Sequence, residues 1–255
     1  MLMQNGEIVY SKPYPSPTPC VTLQEITYYA KGVLVKGLLA IPQTYQDGLI
    51  YLRGGIQRVG MVRPARIAEY AQQGFIVFAP YYRGNRGGQG RDEFVGVDRY
   101  DAIYAVDVLR AYWEGDIHLL GFSRGVTMAL WTAIERDDIS SVVVWGGMTD
   151  VALTYNERMD MRRMMKRVIG GTPTKVPDAY EARTPLRHVH KIAADVLIIH
   201  GVKDYHVSIT HSELLQRALP QASTWYYKDY GHAFPPAVHR QTVNALTTWM
   251  KEAKS

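Results

Sequence analysis

Gly121-Phe122-Ser123-Arg124-Gly125 sets one serine between two glycines, directly after the apolar stretch Ile117-His118-Leu119-Leu120. A serine hydroxyl is a weak nucleophile at neutral pH, and it becomes useful where a sharp strand-to-helix turn exposes its oxygen beside a general base. Gly121 and Gly125 serve such a turn, which makes Ser123 the candidate nucleophile. Val126, Ala129, Leu130, Ala133 and Ile134 then fall at i, i+3, i+4, i+7 and i+8, so an amphipathic helix begins beside Ser123.

A serine nucleophile needs a histidine base and an acid to orient it. The expected chain order is serine, carboxylate, histidine, each on a loop past the end of a strand. Asp204 follows the apolar stretch 196–199 through His200 and Gly201, and His232 follows the strand-like stretch 224–227 in Tyr230-Gly231-His232. Asp150 is the rival acid, because it lies past the stretch ending at Trp145 and that strand end faces the same side. Among eight histidines, His118 and His200 belong to apolar strands and read as core residues, while His188, His190 and His239 have no strand end before them. His206 and His211 compete through their closeness to Asp204, but only His232 has its own strand and glycine turn. Acyl transfer also needs donors for the developing oxyanion. The backbone N–H of Arg124 is one candidate, and Gly55 in Arg53-Gly54-Gly55-Ile56 is the other.

These loops require a scaffold. Extended segments at 21–32 and 33–42 meet at Lys31-Gly32, a hairpin signal, so the sheet should start antiparallel. Short continuous apolar stretches at 49–52, 75–79, 117–120, 142–145 and 196–199 have the character of strands covered on both faces. Helical patterns lie at 64–73, at Ala102, Ala105, Val106 and Leu109, and at 208–219 and 237–251. The alternation predicts an α/β protein: a mostly parallel central sheet, helices on both faces, right-handed crossovers, and chemistry at the carboxyl ends of the strands.

Residues 148–193 break this rhythm without a good strand and hold a Met- and Arg-rich stretch at 158–167. They are expected to form a small cap-like excursion. As a lid, its methionines would adapt to varied apolar groups; as a surface helix with a packed methionine face it would be ordinary, and that is the preferred reading. Four prolines within 11–19 exclude helix or central strand. The expected organisation is therefore an extended lead-in over 1–20 and a single domain over 21–255.

With 255 residues, 47% hydrophobic and 21% charged, the chain can bury a large core. Its 29 basic and 24 acidic residues give a net charge of +5, with the bases scattered except at 158–167, so no nucleic-acid partner is expected. One cysteine, Cys20, leaves no internal disulfide and no cysteine-rich metal site, and it fits a reducing compartment. The chain shows neither a basic-then-apolar leader nor an apolar stretch of about 18 residues, so the cytoplasm is expected and a membrane is not. With no His-x-x-x-His or comparable ligand cluster, neither metal nor cofactor is expected.

Further motifs carry a family resemblance. Ala79-Pro80-Tyr81-Tyr82-Arg83-Gly84-Asn85, with Gly87-Gly88-Gln89-Gly90 after it, is similar to the Pro-Asn-Tyr-Arg-Gly-Ser segment of the prolyl oligopeptidase family of serine peptidases. Tyr180 to Pro185 resembles that family's Tyr-x-x-x-Ser-Pro element. His200-Gly201 through Asp204 with Val207, and Gly231-His232 with Phe234, resemble its last two catalytic motifs. The resemblance spans roughly residues 30 to 250 and includes dienelactone-hydrolase-like and acyl-esterase relatives. It implies an α/β-hydrolase fold and a metal-independent serine hydrolase with a Ser123-Asp204-His232 triad, an acyl-enzyme intermediate and small peptides or amides as substrates. Small acyl esters are the alternative. A non-catalytic binding protein of the same fold is the rival from another class, and it would more naturally have lost one of the three residues. Arg53 departs from the His or Tyr usual ahead of the glycines, so no side-chain role is carried over to it. The stretch before the first predicted strand is too short for propeller blades. Arg83 and Arg86 read as structural, bridging their loop to Asp98 or Asp101, rather than as binders of a substrate carboxylate.

Overall fold

The structure, a computed structural model, describes residues 3–253. Within the expected lead-in, β1 (Ile8–Tyr14) pairs antiparallel with β2 (Val21–Ala30), with Pro13 opposite Gln24. The proline is tolerated because β1 is outermost, where a missing ladder donor leaves no partner unsatisfied. Lys31-Gly32 is left-handed at both residues, φ 46° and 90°, and turns β2 back onto β3 (Val33–Pro42) as the sequence signals.

After β3 the chain alternates. β4 (Asp47–Leu52), α1 (Pro64–Ala71) and β5 (Phe75–Pro80) come first, with Pro64 opening the helix where no backbone donor is needed. The next stripe, expected as one helix, divides at Tyr104 into α2 (Arg99–Ile103) and α3 (Ala105–Arg110). β6 (Ile117–Phe122) leads into α4 (Arg124–Glu135), and β7 (Ser141–Trp145) follows. The excursion holds α5 (Val151–Glu157), α6 (Arg162–Ile169) and α7 (Pro177–Glu181), with no strand among them. β8 (Asp195–Gly201), α8 (Thr210–Ala218), β9 (Ser223–Tyr227) and α9 (Pro236–Glu252) complete the order.

The nine strands form one sheet in the order β1-β2-β3-β5-β4-β6-β7-β8-β9, parallel from β5 through β9 and antiparallel at the β1–β3 end. Successive residues alternate between its faces. On β4, Leu49 joins the apolar cluster of α1 and α9 with Ile67 and Leu246, while Ile50 and Leu52 join the cluster of α3 and α4 with Val106 and Ala129. Burying each such side chain favours folding by about 1.5–3 kcal/mol. Strand order reverses at β4, which has β5 on one side and β6 on the other, so the loops after β4 and β6 open side by side. Among the described residues, no helix is long and apolar enough to cross a membrane.

Candidate active site

Ser123 is the one residue between β6 and α4, and it sits at φ 56°, ψ −124°. A non-glycine residue there stores about 1–3 kcal/mol of strain, which the packed strand and helix on either side must hold. The two neighbouring glycines are required by close approach: a Cβ on Gly121 would fall on the Gly125 carbonyl, and one on Gly125 on the Leu52 carbonyl of β4. Ser123 lines a cavity of about 970 Å³ together with Gly54, Gly55, His206 and His232.

Asp204 and His232 come from loops after β8 and β9. Asp204 Oδ2 lies 2.7 Å from His232 Nδ1, while Oδ1 accepts the backbone N–H groups of His206 (2.8 Å) and Val207 (3.0 Å). The carboxylate is wholly buried; the imidazole stays 17% exposed. Burial works against ionisation of Asp204, but hydrogen bonds from His200 and His232, the His232 charge and the Val207 N–H together hold it well below the usual carboxylate range. The His232 ring rests on Phe122 at 4.9 Å and on His206 at 5.2 Å, centroid to centroid.

The other candidates have different partners. Asp150 caps α5, its Oδ1 accepting the Leu153 N–H at 2.9 Å. His200 is buried between Ser212 Oγ (2.6 Å) and the Val207 carbonyl (3.0 Å), and His118 reaches Ser141 Oγ at 2.8 Å, so both are core residues as expected. His211 is buried on α8 and its Nδ1 accepts the Thr149 N–H. His206 stands in the cavity wall against His232.

Gly55 has φ 68°, and a Cβ there would fall on the Val59 carbonyl. Two buried arginines hold its loop. Arg53 donates to the carbonyls of Gly54 and Val59 at 3.0 Å, Gln57 at 3.2 Å and Tyr81 at 2.9 Å; burial and the nearby Arg124 charge pull its guanidinium down to about 10. The Arg124 side chain runs beneath the turn between the Tyr82 and Phe94 rings and binds Asp92, whose Oδ2 in turn accepts the Gln57 N–H at 3.1 Å. Asp92 carries no sequence signal beyond a carboxylate two positions before apolar Phe94 and Val95. Arg83 binds Asp101 through two nitrogens at 2.6 and 3.0 Å, the structural role expected of it.

Met165 and Ile169 of α6 are buried inward, while Met161, Met164 and Arg158 line the cavity. His239 also lines it, stacked on Trp145 with ring centroids 5.3 Å apart, although nothing in its helical surroundings marked it out.

The sequence profile of the prolyl oligopeptidase family matches residues 61–254. The chain belongs to the prolyl oligopeptidase family. It is a serine hydrolase with the α/β-hydrolase fold. A family relative, the uncharacterized peptidase YtmA of Bacillus subtilis (strain 168), is 53% identical over 254 residues, spanning 96% of this chain and 99% of its own. Among solved structures, the Pyrococcus horikoshii acylaminoacyl peptidase superposes with a TM-score of 0.78 at 15% identity, over 92% of this chain and 42% of that one. A Mycobacterium tuberculosis puromycin-hydrolyzing peptidase gives 0.76 at 21% identity, over 89% and 40%. The acetyl xylan esterase from Paenibacillus sp. R4 gives 0.74 at 15% identity, over 97% and 90%. The chain thus spans about two fifths of these two peptidase structures, and at such identities the likeness is one of fold.

Proposed function

We propose that this prolyl oligopeptidase family member cleaves short peptides or small amides through a Ser123-Asp204-His232 triad. The observation that carries the reading is the 2.7 Å contact of Asp204 with His232 in the same cavity as the strained Ser123. With Asp204 accepting from Nδ1, the His232 Nε2 lone pair is free to take the Ser123 proton as Oγ bonds to the substrate carbonyl carbon. The oxyanion is stabilised by the backbone N–H groups of Arg124 and Gly55. The C–N bond then breaks, the leaving nitrogen takes the proton from His232 Nε2, and water, activated by the same imidazole, releases the acyl group from Ser123.

Esterase activity is the second reading. It is supported by the match to nine tenths of an acetyl xylan esterase and by the fact that ester and amide cleavage use the same groups. Kinetics on a short-chain p-nitrophenyl ester beside an aminoacyl arylamide separate the two. A fluorophosphonate probe should label the wild-type protein and leave Ser123→Ala unlabelled. Folded wild-type protein that resists the probe would overturn the triad and revive a purely binding role.

A further inference from the structure

The cavity beside Ser123 is walled from both faces of the sheet. Ile56, Phe94, Met148, Met161 and Met164 belong to the apolar cluster of α4, whereas Tyr51, Tyr70, Phe122, Trp145 and Phe234 belong to that of α1 and α9. Apart from Phe94, one half is therefore aliphatic and thioether and the other aromatic. In the aromatic half Trp145 meets Phe234 at 5.1 Å and Phe122 at 6.3 Å, and Tyr51 meets Tyr70 at 5.7 Å.

Three polar side-chain groups in this half have no hydrogen-bond or ion-pair partner among the described residues. The Trp145 indole N–H is buried, the residue being 4% exposed, and has no acceptor among the described residues. A buried donor without an acceptor costs about 1–3 kcal/mol, a cost that a ligand oxygen within reach of it removes. Arg63 and Arg240 line the mouth, both exposed and neither paired with a carboxylate among the described residues. By contrast Arg66, in the same wall, is engaged by Glu69 and His239. The lining thus offers ring faces, a tryptophan whose buried N–H is unpartnered, and an outer pair of cations.

Resting on the triad proposed above, we propose that the aromatic half receives the leaving group. Its occupant is the C-terminal aromatic residue of a short peptide, with a free carboxylate, tyrosine ahead of phenylalanine. His232 must hand its proton to the departing nitrogen, and the loop that carries it supplies Ala233 and Phe234 to this half, with Phe122 against the imidazole itself. The leaving side of the scissile bond therefore faces the aromatic wall. The ring lies among Trp145, Tyr70 and Phe234, a tyrosine hydroxyl accepts the Trp145 N–H, and the carboxylate meets Arg63 and Arg240. When the C–N bond breaks, the nitrogen takes the His232 proton and the amino acid departs whole, while the methionine half keeps the acyl side.

The test uses N-acetyl-Ala-Tyr, its Phe and Ala counterparts and the Tyr amide, in two readouts: kcat/KM on the wild-type enzyme and calorimetric binding to Ser123→Ala. Tyr should exceed Ala about tenfold or more, and the free acid should exceed its amide about fivefold, the scale of an exposed ion pair. Trp145→Phe should bring Tyr down to the level of Phe, and Arg63→Gln with Arg240→Gln should erase the difference between acid and amide. Equal binding of all four peptides overturns the inference. Hydrolysis of p-nitrophenyl acetate keeps the two proposals apart. If the ester is cleaved and the peptides are not discriminated, the leaving-group site falls and the triad stands. If no substrate is cleaved but Ser123→Ala binds in the expected order, the site stands and the triad falls.

Discussion

Asp92 is the single carboxylate that ties the Ser123 turn to the loop after β4, and replacing it should damage both stability and rate. Its side chain is 2% exposed and accepts from Arg124 at 2.5 and 3.2 Å and from the Gln57 N–H at 3.1 Å, with Arg53 Nη2 at 3.9 Å. Burial opposes its charge, yet Arg124 holds it below the usual carboxylate range, so the ion is native. Asp92→Ala leaves two buried guanidiniums without their shared anion, a loss of about 3–5 kcal/mol. Asp92→Asn keeps one acceptor oxygen and the volume, so about 1.5–3 kcal/mol is expected. Part of that loss is returned by Asp98, 3.6 Å from Arg124. Burial and the Asp92 charge push its carboxyl up to about 6 in the native protein. Removing the Asp92 charge lets Asp98 ionise more readily, so Asp92→Asn should be less harmful at pH 8 than at pH 5. For the rate, losing one oxyanion donor outright costs about 10²–10³ in kcat. A loop that keeps the Arg53 contacts but loses the Gln57 anchor should cost less, about ten- to a hundredfold, with KM unchanged. Urea unfolding and ester kinetics on Asp92→Asn provide the measurement. Activity within about twofold of wild type, together with a stability loss under about 0.5 kcal/mol, would refute the idea that charge holds this loop in place.

Asp204→Asn should reduce kcat by about 10⁴ by trapping His232 in the wrong tautomer, whereas Asp150→Ala should keep kcat and lose about 1 kcal/mol as a helix cap; steady-state kinetics and thermal melts on the pair decide between the two acids. Gly54→Ala would put a Cβ 2.7 Å from Ser123 Cβ and 3.0 Å from the Phe122 carbonyl, so turnover and fluorophosphonate labelling should both collapse while the circular dichroism spectrum persists. His211 faces Glu157 and Asp150, yet burial dominates and brings it down to about 4 from 6.5, so it is neutral in the folded protein. The unfolded chain therefore binds the extra proton between these values, and stability present above pH 6.5 is lost on acidification, by about 3 kcal/mol at pH 4. Urea midpoints at pH 7 and 4.5 should show this slope, and it should be reduced in His211→Asn.

The parallel strands β4 to β8 were legible because each is buried on both faces and reads as a continuous apolar stretch, and Ser123 because its turn demands small residues on both sides. β1 was hidden for the opposite reason. Ile8–Tyr14 contains proline and is largely exposed, and it is a strand only because β2 has a free edge to pair with. The clamp of Arg53, Asp92 and Arg124 escaped because its partners are 32 to 39 positions apart in the chain, a contact that no local pattern encodes. The cavity's two halves escaped through a subtler effect. A strand has period two and a helix 3.6, so the wall of a site built at strand ends takes alternate residues from each strand and every third or fourth from each helix. Tyr51, Leu120 and Trp145 come from three parallel strands and share one face only because the register sets Tyr51 beside Leu120 and the alternation carries Trp145 to the same side. His239 reaches that face from the first turn of α9, where Val238 and Arg240 flank it in sequence and Trp145 and Glu69 are its neighbours in space. Neither period alone reveals the aromatic wall; it exists where the two are brought into contact.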